Sequence, residues 1–253
     1  MFYDFPKYYE VAFSFRDIKK ETAFLIECAD RYSACPVKHF FEIGCGNAPH
    51  AGEIIKAGYD YNGMDINRKM LDYAHQKWSH LSQPPKLVIG DMVNFVLERQ
   101  VDFAFVMLGS LYLNSSEQLQ SHFDSLSRIL NKGGLYFLDF CFQFDDPLQH
   151  SDSNKFSVEQ EGIIVESDFD IRLLDQQENI YEETWRINVN DNGYKQTFKT
   201  VEVNKALLPE EFEEFISKRD DFEIVGWWKD WDLNQPLDNR NDLKRPFTLV
   251  RRI

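Results

Sequence analysis

The sequence predicts an α/β chain built on a Rossmann-like, doubly wound, seven-stranded sheet. The sheet is mostly parallel with a C-terminal antiparallel hairpin, and it carries an inserted antiparallel β subdomain. Three observations predict this. Short apolar runs alternate with helical stripes from residue 38 to 142, as right-handed βαβ units require. A glycine-rich turn, GCGNAP at 44–49, joins the first apolar run to a helix. After Asp145-Asp146-Pro147 the texture changes to two-residue alternation with a strong hairpin signal at Asp191-Asn192-Gly193.

The elements follow in order. Residues 17–34 predict a helix, because Ile18, Ala23, Phe24, Leu25 and Ile26 recur near the helical period. Pro36 breaks the chain, and KHFFEI (38–43) reads as a buried strand ending at Gly44. A helix runs from about Pro49, a residue suited to a first helical turn, to Ala57, and Gly58 closes it. YNGMDI (61–66) is a second strand, and 67–80 a second helix that Asn67 can cap. Beyond Pro84-Pro85, KLVIGD (86–91) is a third strand, followed by a short helix near 93–98. VDFAFVML (101–108) is a fourth. Ser115 or Ser116 caps a helix to Leu130, with Leu119, Phe123, Leu126, Ile129 and Leu130 on one face. Asn131-Lys132-Gly133-Gly134 ends it, and LYFLDFCF (135–142) is a fifth strand. GIIVESDFDIRLL, NIYEETWRINVN and YKQTFKTVEVNKAL then give three or four antiparallel strands. Pro209-Glu210-Glu211 opens a last helix to about Arg219. FEIVGWWKDW (222–231) and PFTLVRR (246–252) are the final strands.

Composition narrows the partners. The 253 residues carry a formal charge of −14, so a phosphate backbone is repelled and nucleic acid is not an expected partner. The compact basic cluster of Lys244, Arg245, Arg251 and Arg252 reads as a solvated strand end. There is no run of about 18 apolar residues, hence no expected membrane span. The start, MFYDFPKYYEVAFSFRD, does not read as a signal peptide. Cys28, Cys35, Cys45 and Cys141 form no CxxC pair, and His39 and His50 lie at no metal-ligand spacing to them. No metal is expected. The cysteines read as reduced thiols of a cytoplasmic protein, with a Cys28–Cys35 bridge as the alternative. Oligomeric state stays open between monomer and homodimer.

The most informative segment is FFEIGCGNAP, residues 40–49. Helix N-termini leave backbone N–H groups to be satisfied, and glycine lets a ligand approach the backbone. The dinucleotide pattern G-x-G-x-x-G fails, since its third glycine falls at Pro49. An acidic residue followed by G-x-G-x-G fits better: Glu42, Gly44 and Gly46 match, with Ala48 at the third glycine. EIGCGNA, GMD, GDM, an apolar fourth strand and NKGGLYFLDF occur in that order. On these motifs residues 38–142 resemble the class I S-adenosylmethionine-dependent methyltransferases. The β insertion, the PEEF helix start and the hairpin with WKDWDL look like the small-molecule branch, in which the insertion serves as a substrate lid.

The resemblance implies a division into an N-terminal segment, 1–36, covering the cofactor site; a core of 37–145 and 205–253; and an inserted lid, 146–204. It implies S-adenosylmethionine as cofactor, bound by Glu42, Gly44, Cys45, Gly46, Asn47, Asp65, Ile66, Asp91, Met92, Leu108 and Gly109. A carboxylate at Asp65 can accept two hydrogen bonds from vicinal ribose hydroxyls; a helix-capping role is the alternative. Asp91 would take the adenine amino group, with the Met92 backbone beside the ring, or serve as an ordinary turn residue. Glu42 sits in an apolar strand and needs donors, either backbone N–H groups or, through water, the cofactor amino group. Cys45 reads as space-filling. Leu108 and Gly109 end the fourth strand, where the methionine portion should lie.

Methyl transfer from a sulfonium needs alignment more than a catalytic triad. Tyr8, Tyr9 and Tyr112, with Tyr3 and Ser110, are candidates facing the crevice. Tyr8 and Tyr9 contact cofactor or acceptor, or else pack on the helix at 17–34. Arg16 pairs with the cofactor carboxylate or makes a surface salt bridge. Asp168, Asp170, Glu182 and Glu183 favour an amine acceptor if they face the cleft, and otherwise form a soluble face. Trp185, Trp227, Trp228 and Trp231 wall a pocket or fill core. The reading is methyl transfer to an N or O atom of a small molecule; a protein methyltransferase and a non-catalytic S-adenosylmethionine-binding module are the alternatives.

Overall fold

Burial of whole strands organises the chain. In a computed structural model, which describes residues 1–144, 148, 155–229, 231–237 and 245–253, strand β1 (His39–Ile43) is buried from Phe40 onward. It lies between two parallel neighbours, β2 (Asp60–Asp65) and β4 (Val101–Val106). A parallel strand covered on both faces must be apolar throughout, which is why FFEI and VDFAFV show no alternation. With β3 (Lys86–Ile89), β5 (Leu130–Asp139), β10 (Phe222–Trp228) and β11 (Phe247–Arg252), the sheet order is β10-β11-β5-β4-β1-β2-β3. Strand β11 runs antiparallel to both β5 and β10. The expected mostly parallel seven-stranded sheet with its antiparallel hairpin is therefore present.

Helices cover both faces. Phe40, Phe103 and Phe105 pack with α2 (Ile18–Tyr32) and α3 (Ala51–Lys56) and with Ala74 of α4 (Arg68–Trp78). Phe41, Ile43 and Val106 face the other way, towards α5 (Ser116–Ile129) and α6 (Pro209–Ser217). Asn67 caps α4 and Ser115 caps α5, as their positions in the sequence predict. No helix among the described residues is long and apolar enough to cross a membrane.

The insertion forms a second sheet, order β6-β7-β8-β9, from Lys155–Gln160, Ile163–Asp175, Ile180–Asp191 and Tyr194–Lys205. Asn192 and Gly193 both take positive φ, as an Asn-Gly hairpin turn demands. A 3₁₀ turn at Phe2–Asp4 and helix α1 (Pro6–Ala12) lie against this sheet. Phe2, Val11 and Ala12 pack there with Ile163, Val165, Ile187 and Val189.

Several expectations need correction. No helix forms at 93–98: Asp91 and Asn94 close a tight turn, and the Phe95 amide donates to Ser125 Oγ instead of to a helical carbonyl. Helix α3 starts at Ala51, two residues after Pro49. Strand β5 starts at Leu130 rather than 135, so the Asn131–Gly134 segment lies inside it. Its glycines serve close approach: a Cβ on Gly133 would lie 2.8 Å from the Ala34 carbonyl carbon, and one on Gly134 2.7 Å from Asp102 O. The Asp145–Pro147 boundary and Lys244 lie outside the described residues.

Asp102 fastens the entry to the sheet. Its carboxylate, on a residue 5% exposed, accepts from the amides of Lys38 (2.8 Å) and His39 (3.0 Å) and from Asn131 Nδ2 (2.7 Å). Replacement by alanine leaves these donors unpaired. Asp102→Ala should cost about 1–3 kcal/mol in urea denaturation, and an unchanged stability would contradict this account.

Candidate active site

The turn after β1 is left-handed at three positions: Gly44 (φ 66°), Gly46 (φ 52°) and Ala48 (φ 49°). Glycine suits the first two at little cost. Ala48 takes the same conformation with a fully buried methyl group. The amides of this turn are not left free as the sequence suggests. Cys45 N donates to Met64 O (2.9 Å), Gly46 N to Asp65 Oδ2 (2.7 Å), and Ala48 N to Cys45 O (2.8 Å). What the glycines supply is bare backbone. A Cβ on Gly44 would meet Met92 Cε at 3.6 Å and Ser110 Cβ at 3.9 Å; on Gly46 it would meet Tyr9 Cε1 at 3.9 Å. Cys45 is buried, and burial pushes its thiol well up, which suits a space-filling residue. Asn47 is buried in the same turn.

Asp65 ends β2 beside the turn. Its Oδ1 accepts from Asn67 N (2.8 Å), and its Oδ2 from Gly46 N. Each carboxylate oxygen has two acceptor sites, so these two bonds do not exhaust its capacity to accept from a ligand. Burial raises its pKa, and no ion pair to it is formed among the described residues. The helix cap itself is Asn67, not Asp65. Ile66 is 73% exposed and only its backbone adjoins the site.

The third and fourth strand ends complete the crevice. Asp91 is exposed, and its Oδ1 accepts from Val93 N (2.9 Å), the geometry of a turn aspartate. Met92 covers Gly44, and its carbonyl accepts from His122 Nδ1 (2.7 Å). Burial pushes His122 down to about 4, so this core imidazole is neutral. Leu108 (φ 57°) and Gly109 (φ 67°) make a second left-handed turn. A Cβ on Gly109 would lie 2.8 Å from Phe140 O, so glycine is required there. The Leu108 amide donates to Asp139 Oδ2 at 2.8 Å.

Beneath these turns runs a buried ionic network that the sequence did not show. Glu42 takes neither backbone amides nor an open position: its carboxylate accepts from His50 Nδ1 (2.9 Å) and from the Tyr61 hydroxyl. His50, fully buried, donates through Nε2 to Glu21 Oε2 (3.0 Å). Arg16 also binds Glu21 (2.6 Å), and with a side chain 6% exposed it is not a surface salt bridge. Arg245 holds the buried Asp139 through two bonds, of 2.8 and 2.6 Å, and reaches Glu21 at 3.4 Å. It is therefore an internal clamp and not part of a solvated strand end. Arg251 pairs with Glu223, and Arg252 donates to the Asp221 carbonyl. Asp139 was detectable as a lone charge within an apolar run; His50 gave no such signal.

The tyrosines separate. Tyr9 lies over Gly46, 5.8 Å ring to ring from Tyr3, and burial raises it to about 12, with Asp65, Glu42 and Glu202 adding to the shift. Tyr3 and Tyr112 are raised by burial and by the nearby Glu202 carboxylate. Tyr8 goes elsewhere, stacking on Phe5 and donating to Asp191 at 3.2 Å. Of the four acids singled out in the insertion, Asp168, Asp170 and Glu182 pair with Lys155, Arg186 and Arg172 respectively. Trp227, Trp228 and Trp231 pack into the core, and Trp185 packs on the inserted sheet. The four cysteines are free, and no group of residues that could hold a metal occurs among the described residues.

The network fixes a pH window. Burial opposes ionisation of Glu21, but bonds from His50 and Arg16 hold it at about 2, against 4.5 ordinarily. Its contribution is present above pH 4.5 and is lost as pH falls towards 2. For His50, burial disfavours the imidazolium, yet Glu42 and Glu21 raise its pKa above 6.5. That contribution is complete below 6.5 and is lost as pH rises through the folded value. His50→Gln should therefore lower Tm more at about pH 5.5 than at about pH 9 in scanning calorimetry. Equal losses at both would contradict the network.

Comparison with known proteins bears on the fold. Residues 40–134 match the family described as Methyltransferase domain. YqeM of Bacillus subtilis (strain 168), named as a methyltransferase, is 28% identical over 105 residues, 41% of this chain. The chain spans 42% of that relative's length. An S-adenosylmethionine-dependent methyltransferase from Clostridium acetobutylicum ATCC 824 superposes with TM-score 0.76 at 19% identity, covering 96% of this chain and 95% of its own. CalS10, an amino pentose methyltransferase from Micromonospora echinaspora, gives 0.70 at 17% identity over 97% and 96%. The sugar N-methyltransferase KedS8 from Streptoalloteichus sp ATCC 53650 gives 0.66 at 18% over 94% and 88%. Residues 40–134 thus match a methyltransferase domain, within a chain that shares its fold with solved S-adenosylmethionine-dependent methyltransferases.

Proposed function

We propose that this chain is an S-adenosylmethionine-dependent methyltransferase that methylates an N or O atom of a small-molecule acceptor. One observation carries the reading: the Asp65 carboxylate lies beside the bare Gly46 backbone, without an ion pair among the described residues and with acceptor sites to spare. That chemistry suits a vicinal diol, and the position suits the ribose of an adenosyl group. The solved relatives with this fold include proteins named for sugar and amino pentose methylation, which supports a small acceptor.

The cofactor supplies an activated methyl group when bound. The chain's own residues then bind and orient. Asp65 would hold the ribose, the second oxygen of Asp91 the adenine amino group, and the Leu108–Gly109 turn the amino acid end. Met92 and Tyr9 cover the two glycines. The N-terminal segment 1–36 acts as the cover of this site, and the insertion at 146–204 as its lid. Tyr9, with a pKa of about 12, stays protonated at neutral pH and serves as a positioning donor, not a base.

Calorimetry tests this directly. Asp65→Ala should weaken S-adenosylmethionine binding by about 1–3 kcal/mol. Wild-type affinity in that variant would contradict the ribose assignment, and a folded wild-type protein that binds no S-adenosylmethionine would overturn the function.

A further inference from the structure

The lid sheet holds an uncommon concentration of unpaired polar atoms on one face. Side chains alternate across a strand, so Trp185 shares a face with Glu183 on β8, and Thr200 with Glu202 and Asn204 on β9. Cross-strand register places Glu183 opposite Glu202 and Trp185 opposite Thr200. On β7, Phe169 lies opposite Trp185 and stacks on it at 5.6 Å, and Ser167 lies opposite Ile187 on the same face. Ser167 Oγ, Trp185 Nε1, Thr200 Oγ1, Glu202 Oε2 and Asn204 Oδ1 are all buried with no protein partner. Ser167 and Thr200 are 4% and 5% exposed. Buried polar groups are normally paired, so a cluster of unpaired ones on one face marks a place built for a ligand.

The location fits an acceptor. The other end of this face is apolar and is covered by α1 through Ile163, Val165, Ile187 and Val189. The polar end adjoins the fourth-strand crevice: Lys205 N, at the end of β9, donates to Leu113 O at 2.7 Å. The phenols of Tyr3 and Tyr112 interact with the Glu202 carboxyl, and Tyr3 leads through Tyr9 to Gly46. Burial raises the carboxyl pKa of both Glu183 and Glu202, and the charge of Glu202 raises Glu183 further. Two carboxyls with no cationic partner among the described residues repel an anion and attract a cation. The unpaired Asn204 oxygen, the indole N–H and the two hydroxyls match a molecule rich in hydroxyl groups.

We propose that Glu202, with Glu183, binds the ammonium group of a hydroxylated amine, and that Ser167, Trp185, Thr200 and Asn204 bind its hydroxyls. This deepens the methyltransferase reading and rests on it for the term acceptor. Glu202 takes one proton from the ammonium, which frees the nitrogen lone pair. The N–C bond forms as the methyl C–S bond breaks, its electron pair staying on sulfur. The positive charge passes from sulfur to the methylated nitrogen, and Glu202 later returns its proton to solvent.

The test uses the full chain with S-adenosylhomocysteine present. Ligand-observed NMR measures binding of glucose and of its 2-, 3-, 4- and 6-amino-deoxy counterparts. At least one amine should bind roughly tenfold tighter than glucose, the scale of a hydrogen bond to a charged group. Glu202→Gln should abolish that preference and leave glucose unchanged. Glu182→Gln, on the outer face and paired with Arg172, should keep it. Thr200→Val should weaken amine binding without lowering Tm, because it removes an unpaired hydroxyl. Should Glu202→Gln not fold, Glu183→Gln and Thr200→Val carry the comparison. No amine preference in the wild type, or a preference that survives Glu202→Gln, overturns the proposal. A Thr200→Val that lowers Tm yet binds amines normally does the same. Calorimetry with S-adenosylhomocysteine separates the two readings: failure to bind it defeats the methyltransferase reading, whereas binding without amine preference defeats only this one.

Discussion

Four carboxylates, those of Glu21, Glu42, Asp65 and Asp139, lie within or beside the carboxyl ends of the parallel strands. Charge in such surroundings is costly unless it is paired and hydrogen-bonded. The chain meets this with cations from outside the sheet: Arg16 and His50 for Glu21 and Glu42, and Arg245 for Asp139. The pairing therefore does structural work at a distance. It fastens the segment before α2 and the segment before β11 to the same end of the sheet, where both glycine turns lie. Asp65 is the exception, held by backbone amides and by no cation among the described residues. Of these four, only Asp65 has no cation matched to it among the described residues, which leaves a defined place for a ligand that brings its own donors.

The second consequence concerns the insertion. Its sheet is joined to the N-terminal segment by an apolar cluster that includes Phe2, Val11 and Ile187, so the two form one hydrophobic unit. Tyr3 and Tyr9 belong to that N-terminal segment. Their rings connect the Gly44–Gly46 turn to Glu202, so the two halves of the proposed reaction meet through aromatic side chains rather than through the sheet.

Local signals made the fold legible. Apolar continuity identified β1 and β4, Asn67 and Ser115 marked helix starts, and Asn192-Gly193 marked the hairpin. Where the reading slipped, competing tertiary contacts decided. Ser125 satisfied the Phe95 amide, and Gly133 and Gly134 served close packing instead of a helix end. For the site, the strand-end positions of Asp65, Asp91 and Gly109 follow from order along the chain. The Glu42–His50–Glu21 chain does not, because its members are 8 and 29 residues apart in sequence and meet only after folding. Glu183 was one of four equivalent acids of the insertion until register separated it from the ion-paired three. Glu202 went unnoticed, although its two-residue spacing from Thr200 placed it on the inner face.

A crystal structure of the protein soaked with S-adenosylhomocysteine addresses the central claim most directly. The account predicts the ribose diol within hydrogen-bonding distance of Asp65, the adenosyl group against the Gly44–Gly46 backbone, and an unchanged Glu42–His50–Glu21 chain beneath. A ligand bound elsewhere, or one at the turn whose ribose makes no contact with Asp65, would contradict it.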